Sequence, residues 1–342
     1  MFAHWQIRSA LLALSVLTSV LACTAAADDT NGSSGLTTYR STVSEVRVTF
    51  FATDESNHPL ASLTKSDFAV VDNERVVRNF RSFTHSNETS LDVVALVDLS
   101  ESVAPRLRAA MSDMLQLVAQ EQSIPNDNIS VLSFGGTLGG TVGGASSSFR
   151  PAVLCTSGCR APDSMSKLLA MKSGGTTPLF DALIFAADFI SQHRHAGGRG
   201  DARPVLILFS DGYDTISLHS AREALQAVLD EGALIYSVDM GKPENQSSNE
   251  PWGNQASGSM FLRRVSDATG GRYFFFSLGS SRPDGAASVL NAVIEDLRAS
   301  YVVTYDLPSH QPGFHSLRLL PTHNLKLTFH SRTGYDYEPS GH

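Results

Sequence analysis

Residues 93–102 read Val-Val-Ala-Leu-Val-Asp-Leu-Ser-Glu-Ser. The first five are apolar without interruption, the pattern of a strand covered on both faces, as in a parallel sheet. The run stops at Asp98. The next residues, Leu99-Ser100-Glu101-Ser102, place hydroxyls beside that carboxylate just where the chain leaves the strand. Open α/β sheets bind their ligands at this carboxyl edge.

The pattern repeats downstream. Strands are predicted at 128–134, 204–209, 233–238 and 272–276. Helices are predicted at 104–120, 178–193, 217–231, 259–269 and 286–299, the second opened by Pro178 and the fourth closed by Gly270-Gly271. This alternation predicts a doubly wound, mainly parallel α/β sheet over residues 90–299. Residues 135–148 are rich in Gly, Ser and Thr and read as a loop.

Both flanks read differently. In 43–85, Val46, Val48 and Phe50 alternate with polar residues, and 68–71 and 75–80 flank Asp72-Asn73-Glu74 as a hairpin. After Ser300, strands are predicted at 301–305, 314–320 and 325–329. Neither flank can bury its apolar face alone. They are expected to pair, residues 43–85 with 300–338, as a small β sandwich.

Residues 28–42 lack apolar periodicity and read as a tether. Residues 1–27 read as an export signal: Arg8 precedes an apolar run from Ala10 to Ala22, too short for a comfortable membrane span. Two processing routes fit. Val20-Leu21-Ala22-Cys23 resembles the lipobox of bacterial lipoproteins, with Cys23 as the lipidated residue. Ordinary cleavage after Ala27 fits equally. Either route leaves two of the three cysteines, Cys155 and Cys159. In an oxidising compartment their spacing favours a small disulfide loop. A metal or redox site would need more ligands or a Cys-x-x-Cys pair. The expected location is exported: periplasm or cell envelope, or secreted.

Composition narrows the partners. The 34 acidic and 26 basic side chains give a net charge of −8, and no basic stripe of the kind nucleic-acid binders carry is visible. No nucleic acid is expected, and contact with a membrane only through a lipid on Cys23.

Three segments carry the chemistry: Asp98 to Ser102; Gly174-Gly175-Thr176-Thr177-Pro178-Leu179-Phe180-Asp181-Ala182-Leu183; and Ser210-Asp211-Gly212. Each alone is a common strand end or helix cap. Together and in this order they resemble the metal-ion-dependent adhesion site of von Willebrand factor type A domains. LASLTKSDFAVVDN (60–73), LRASYVVTYDLP (297–308) and HSRTGYDYEP (330–339) are similar to the flanks of a bacterial family related to that domain, so the resemblance spans about residues 43 to 338. It implies that Asp98, Ser100, Ser102, Thr177 and Asp211 hold Mg²⁺ (or Ca²⁺ or Mn²⁺). Thr177 is chosen over Thr176 because Thr-x-Leu-aromatic-Asp-Ala-Leu is the family's phrasing.

The donor types agree. Mg²⁺ takes six hard oxygens at about 2.1 Å and keeps several waters. Three hydroxyls and two carboxylates meet that demand in part, some through water. The ion stays incompletely neutralised, with a position open to an acidic side chain of a partner protein. Glu101 departs from the pattern, standing where the family often has Gly. It either points to solvent or competes with the incoming acid.

Rival chemistries fit less well. A haloacid-dehalogenase phosphatase needs a carboxylate where Ser100 stands. A hydrolase elbow needs Gly-x-Ser-x-Gly, and a phosphate loop needs Gly-Lys-Ser/Thr. His193 and His195 lack a third zinc ligand, while His310, His315, His323 and His330 are expected at exposed strand or turn positions. Asp181 is expected to orient its helix start, Asp214 to serve a turn or cap, and Arg199-Gly200-Asp201 reads as chance. The expectation is therefore a non-enzymatic, metal-dependent binding module. The alternative is a structural or envelope-assembly scaffold in which the metal is incidental.

Overall fold

The computed structural model describes residues 45–85, 90–107, 128–135, 151–156, 159, 161–196, 202–241, 255–275 and 285–338. The expected signal with Cys23, the tether, most of the 104–120 helix, the 135–148 loop beyond Gly135, and Arg199-Gly200-Asp201 lie outside these residues.

Four strands come first: β1 (Glu45–Thr53), β2 (Phe68–Asp72), β3 (Arg75–Val77) and β4 (Ser82–His85). The central unit then runs β5 (Leu91–Asp98), β6 (Asn128–Phe134), β7 (Ala152–Thr156), α1 (Pro162–Leu169), α2 (Leu179–Ala196), β8 (Arg203–Ser210), α3 (Ala221–Asp230), β9 (Leu234–Asp239), α4 (Gln255–Thr269), β10 (Tyr273–Phe275) and α5 (Gly285–Arg298). The chain closes with β11 (Tyr301–Asp306), β12 (Gly313–Pro321), β13 (Thr328–Ser331) and β14 (Gly334–Tyr337).

The central sheet has the order β10-β9-β8-β5-β6-β7. All its pairings are parallel except β6 with β7. Every residue of β5, β8 and β9 is buried, which explains their unbroken apolar reading. Successive side chains serve opposite faces. Val93, Ala95 and Val97 pack with Val205, Ile207 and Phe209 beneath Val293 and Leu297 of α5. Val94, Leu96, Leu206 and Leu208 pack beneath Leu179, Leu183 and Ile190 of α2 and Leu262 and Val265 of α4. Burying each such side chain contributes roughly 1.5–3 kcal/mol, so both layers are needed. The expected doubly wound α/β sheet is what forms.

The flanks supply two further sheets, β13-β1-β11-β4 and β14-β12-β2-β3, each mixing strands from the two ends of the chain. Between them lie Val48, Phe50, Phe68, Val70, Val303, Tyr305 and Leu317. Phe50 and Phe68 have ring centroids 4.8 Å apart. Asp72 is fully buried here and accepts hydrogen bonds from Tyr305 Oη (2.8 Å) and Tyr335 Oη (2.6 Å). The expected β sandwich of both flanks is present. It abuts the central unit where Thr333 N donates to Ala268 O (2.8 Å) and Gly270, at φ +84°, lies so close that a Cβ would meet Ser331 C at 2.5 Å.

Some expectations need correction. The helix expected from residue 217 starts at Ala221, because Ser220 and Glu223 form a reciprocal capping box. The strand expected at 325–329 is β13, two to three residues later. β4, β7, α1 and β14 were not expected: each is short, four to eight residues. His315 and His330 are not exposed. His315 is 1% exposed and bonds Gln311 O through Nε2 (2.8 Å). His330 stacks on Phe51 at 4.5 Å, and burial pushes its pKa down to about 4.

β1 is hydrogen-bonded to β11 on one side and β13 on the other. Deleting residues 300–342 is therefore expected to abolish amide-exchange protection throughout Val46–Thr53. Hydrogen-exchange mass spectrometry reads this, and protection that survived would mean that the N-terminal strands form their own core.

Candidate metal-binding site

The strand order reverses at β5, whose neighbours are β6 on one side and β8 on the other. The crevice beyond the carboxyl ends of β5 and β8 is the switch point at which such sheets bind ligands. Asp98 ends β5 and Ser210-Asp211 ends β8.

Asp98 is fully buried. Its Oδ1 accepts from Ser100 N and its Oδ2 from Ser210 Oγ, both at 2.8 Å. The Ser100 and Ser102 hydroxyls lie 3.1 Å apart. Ser100 is 1% exposed, Asp211 4% and Thr177 3%, whereas Ser102 and Glu101 are exposed. Thr176 is also exposed, unlike Thr177.

Three sets of hydrogen bonds hold the segments together. Gly174 N donates to Leu99 O at 2.8 Å, tying the second segment to the first. Ser210 Oγ ties the third to the first through Asp98. Thr215 N donates to Thr177 O, and Thr177 N to Thr215 Oγ1, both at 2.9 Å, tying the third to the second. Gly135, at φ +68°, sits in the middle. A Cβ there would meet Thr176 O at 3.0 Å and Ser100 N at 3.1 Å, with Asp98 Oδ1 at 3.5 Å. All five residues proposed from the sequence thus fall on linked segments at one edge of the sheet.

Burial raises the Asp98 pKa to about 7 against the hydrogen bonds from Ser100 and Ser210, and the neighbouring Asp211 carboxylate adds to the rise. Its hydrogen-bond donors are a hydroxyl and an amide, and no ion pair among the described residues includes it. Two acids sharing a dry site with no cationic side chain paired to them among the described residues fit a bound cation, which would favour the charged form of Asp98. No cluster of three or more His, Cys, Asp or Glu among the described residues is placed to hold a metal. A cation at this edge would therefore depend on the serine and threonine hydroxyls.

Several supporting roles were not read from the sequence. Ser210 holds Asp98, and Thr215 brackets Thr177. Asp239, fully buried at the end of β9, accepts from Ser259 Oγ (2.6 Å), Tyr273 Oη (2.5 Å) and Gly241 N (2.7 Å). Its signal was the same one that marked Asp98: a carboxylate closing a buried strand. Asp214 is the cap for α2, accepting from Phe180 N at 3.1 Å. Asp181 does not act on its own helix start. It accepts from the amides of Leu218 and His219 and from His219 Nδ1 (2.8 Å), fastening the 214–219 turn to α2. Cys155 and Cys159 have Cα atoms 5.3 Å apart, within disulfide reach.

A family model described as von Willebrand factor type A domain matches residues 92–276, more than half of the chain. Solved structures similar to it include an aerotolerance-related membrane protein from Bacteroides fragilis, at 15% identity over 60% of this chain and 98% of that one, TM-score 0.41. BatB from Bacteroides thetaiotaomicron is 15% identical over 61% of this chain and 98% of that one, TM-score 0.42. The manganese-loaded TRAP protein of Plasmodium vivax is 14% identical over 80% of this chain and 100% of that one, TM-score 0.38. Among curated proteins none matches significantly. The assignment rests on the family model, which covers the whole central sheet from Asp92 to the end of β10: the chain belongs to the von Willebrand factor type A domain family.

Proposed function

We propose that the protein is an exported, non-enzymatic binding module of the adhesion type. In this reading Asp98, Ser100, Ser102, Thr177 and Asp211 hold Mg²⁺ (or Ca²⁺ or Mn²⁺), and the site captures an acidic side chain of a partner protein. The observation that carries the reading is the Asp98 carboxylate, fully buried at the switch point beside the Ser100 and Ser102 hydroxyls, with no cationic side chain among the described residues bonded to it.

The residues divide the work. Ser210 and the Ser100 amide fix the Asp98 carboxylate, so it needs no reorganisation when a cation enters. Ser102, the exposed member, lies at the mouth where a partner approaches. With only two carboxylates, the cation when bound would supply an electrophilic position for a carboxylate oxygen. Glu101 is exposed, which favours its pointing to solvent over competing with that oxygen. Export is supported by the leader pattern of residues 1–27 and by Cys155 and Cys159, which we read as a disulfide.

Capture of proteins from the native envelope by the immobilised chain separates this reading from the scaffold alternative. Capture is expected to disappear in EDTA, return with Mg²⁺, and be lost in both Asp98→Ala and Ser102→Ala. Ser102 is exposed, so its variant should fold normally, which circular dichroism checks. Capture that survives chelation and both substitutions would support the scaffold reading.

Intact-mass spectrometry of the exported protein tests the compartment. The expected species begins at lipid-modified Cys23 or at Asp28, and lacks two hydrogens relative to its reduced form. A chain that retains its leader and two free thiols would contradict export.

A further inference from the structure

The other end of β8 presents a different chemistry. Four arginines, Arg47, Arg194, Arg203 and Arg332, line a cavity of about 160 Å³ together with Thr49 and Thr269. Arg47 lies on β1 and Arg332 just after β13, both in the sandwich. Arg203 is the first residue of β8 and Arg194 is on α2, both in the central unit. β8 has eight residues, so the cavity lies roughly 23 Å from Ser210 along the strand.

The charge in this cavity is only partly balanced: the Asp72 carboxylate favours the charged form of Arg332, whereas no carboxylate is bonded to Arg203 among the described residues. Among the described lining residues Glu231 is the one carboxylate, 4.0 Å from Arg194. Arg203 is only 7% exposed. Its Nη1 donates to Ser300 Oγ, and its Nη2 has no hydrogen-bond partner among the described residues. Burial pushes its pKa down to about 10; Tyr236 opposes the shift and Arg47 adds to it. Arg332 donates through Nη2 to Arg47 O at 3.0 Å, while its Nε has no partner among the described residues. A buried cation without a counter-charge costs several kcal/mol, far more than an ordinary surface ion pair returns.

We propose that this cavity is an anion site, taking a small, multiply charged oxyanion of the phosphate or sulfate type between Arg203 of the central unit and Arg47 and Arg332 of the sandwich. The guanidinium fork suits tetrahedral oxyanions, to which it donates two parallel bonds. The volume admits such an ion with a few waters, each taking about 30 Å³. The site does not extend to larger anions. The adjoining groove, which shares Arg47 and Arg332, is lined by Glu45, Asp230 and Asp336 and would repel a nucleotide or an acidic peptide. The bound ion would tie the sandwich to the A domain, because its donors come from both.

Calorimetry and thermal unfolding of the full chain in EDTA test this, with inorganic phosphate and sodium sulfate as probes and sodium chloride at matched ionic strength as control. At least one of the two oxyanions is expected to bind saturably, one per chain, and to raise the unfolding temperature by native-state linkage. Chloride should not. Arg47→Ala, at an exposed position, should fold normally and weaken binding at least about tenfold, the loss of one charged hydrogen bond. Arg203→Lys keeps the charge but loses the fork, and should weaken binding as well. The proposal is overturned if neither oxyanion stabilises the chain more than chloride does, or if Arg47→Ala and Arg203→Lys bind phosphate as tightly as the parent.

Discussion

The Asp98 carboxylate stands where the strand order of the central sheet reverses, and the binding edge is organised around it. A carboxylate in so dry a place is costly unless it is hydrogen-bonded and countered by positive charge. The Ser100 amide on one side and the Ser210 hydroxyl on the other meet the first need. Neither supplies charge, and Asp211 next door worsens the balance. The same bonds fix the ends of β5 and β8 relative to one another. The Gly174 amide on Leu99 then brings in the third segment. The constraint that makes the site expensive also makes it rigid, and a divalent cation, in the function proposed above, would relieve it.

The surrounding fold follows from the need to cover that sheet. Strands buried along their whole length require helices on both faces, and the alternating cores beneath α5 and beneath α2 and α4 meet the requirement. The two ends of the chain face a different problem. Each carries strands with one apolar side, and they solve it jointly, β1 between β11 and β13, β12 between β14 and β2. The sandwich is fastened at the end of α4 through Gly270 and Thr333, close to where Arg47 and Arg332 meet Arg203. β8 thus runs from an electropositive cavity at its start to an acidic edge at its finish.

Much of this was legible in the sequence because the strongest signals are local. The apolar run 93–97 and the acid that ends it identify a parallel strand and its ligand edge, and the alternating flanks identify the sandwich. What stayed hidden depends on tertiary contacts. β7 and α1 are only five and eight residues long, too short for a period to stand out in the sequence. Asp181 looked like a residue of its own helix start, but its acceptor capacity is used by the turn at 218–219, some 37 residues away in sequence. His315 is in a strand of alternating pattern, yet it faces Asp72 and Tyr335 inside the sandwich. The four arginines carry no spacing signal, since they come from β1, α2, β8 and the bridge after β13. The start of α3 was readable and was missed: Ser220 and Glu223 spell the capping box that sets it.

The most direct test is to locate the cation itself. Crystals of the protein soaked in Mn²⁺, with diffraction recorded at the manganese absorption edge, give its position independently of any partner. The account expects one anomalous peak within coordination reach of Ser100, Ser102 and Thr177, with Asp98 and Asp211 beside it directly or through water. A fully soaked crystal with no peak at that edge of the sheet, or a peak only among other residues, would contradict it.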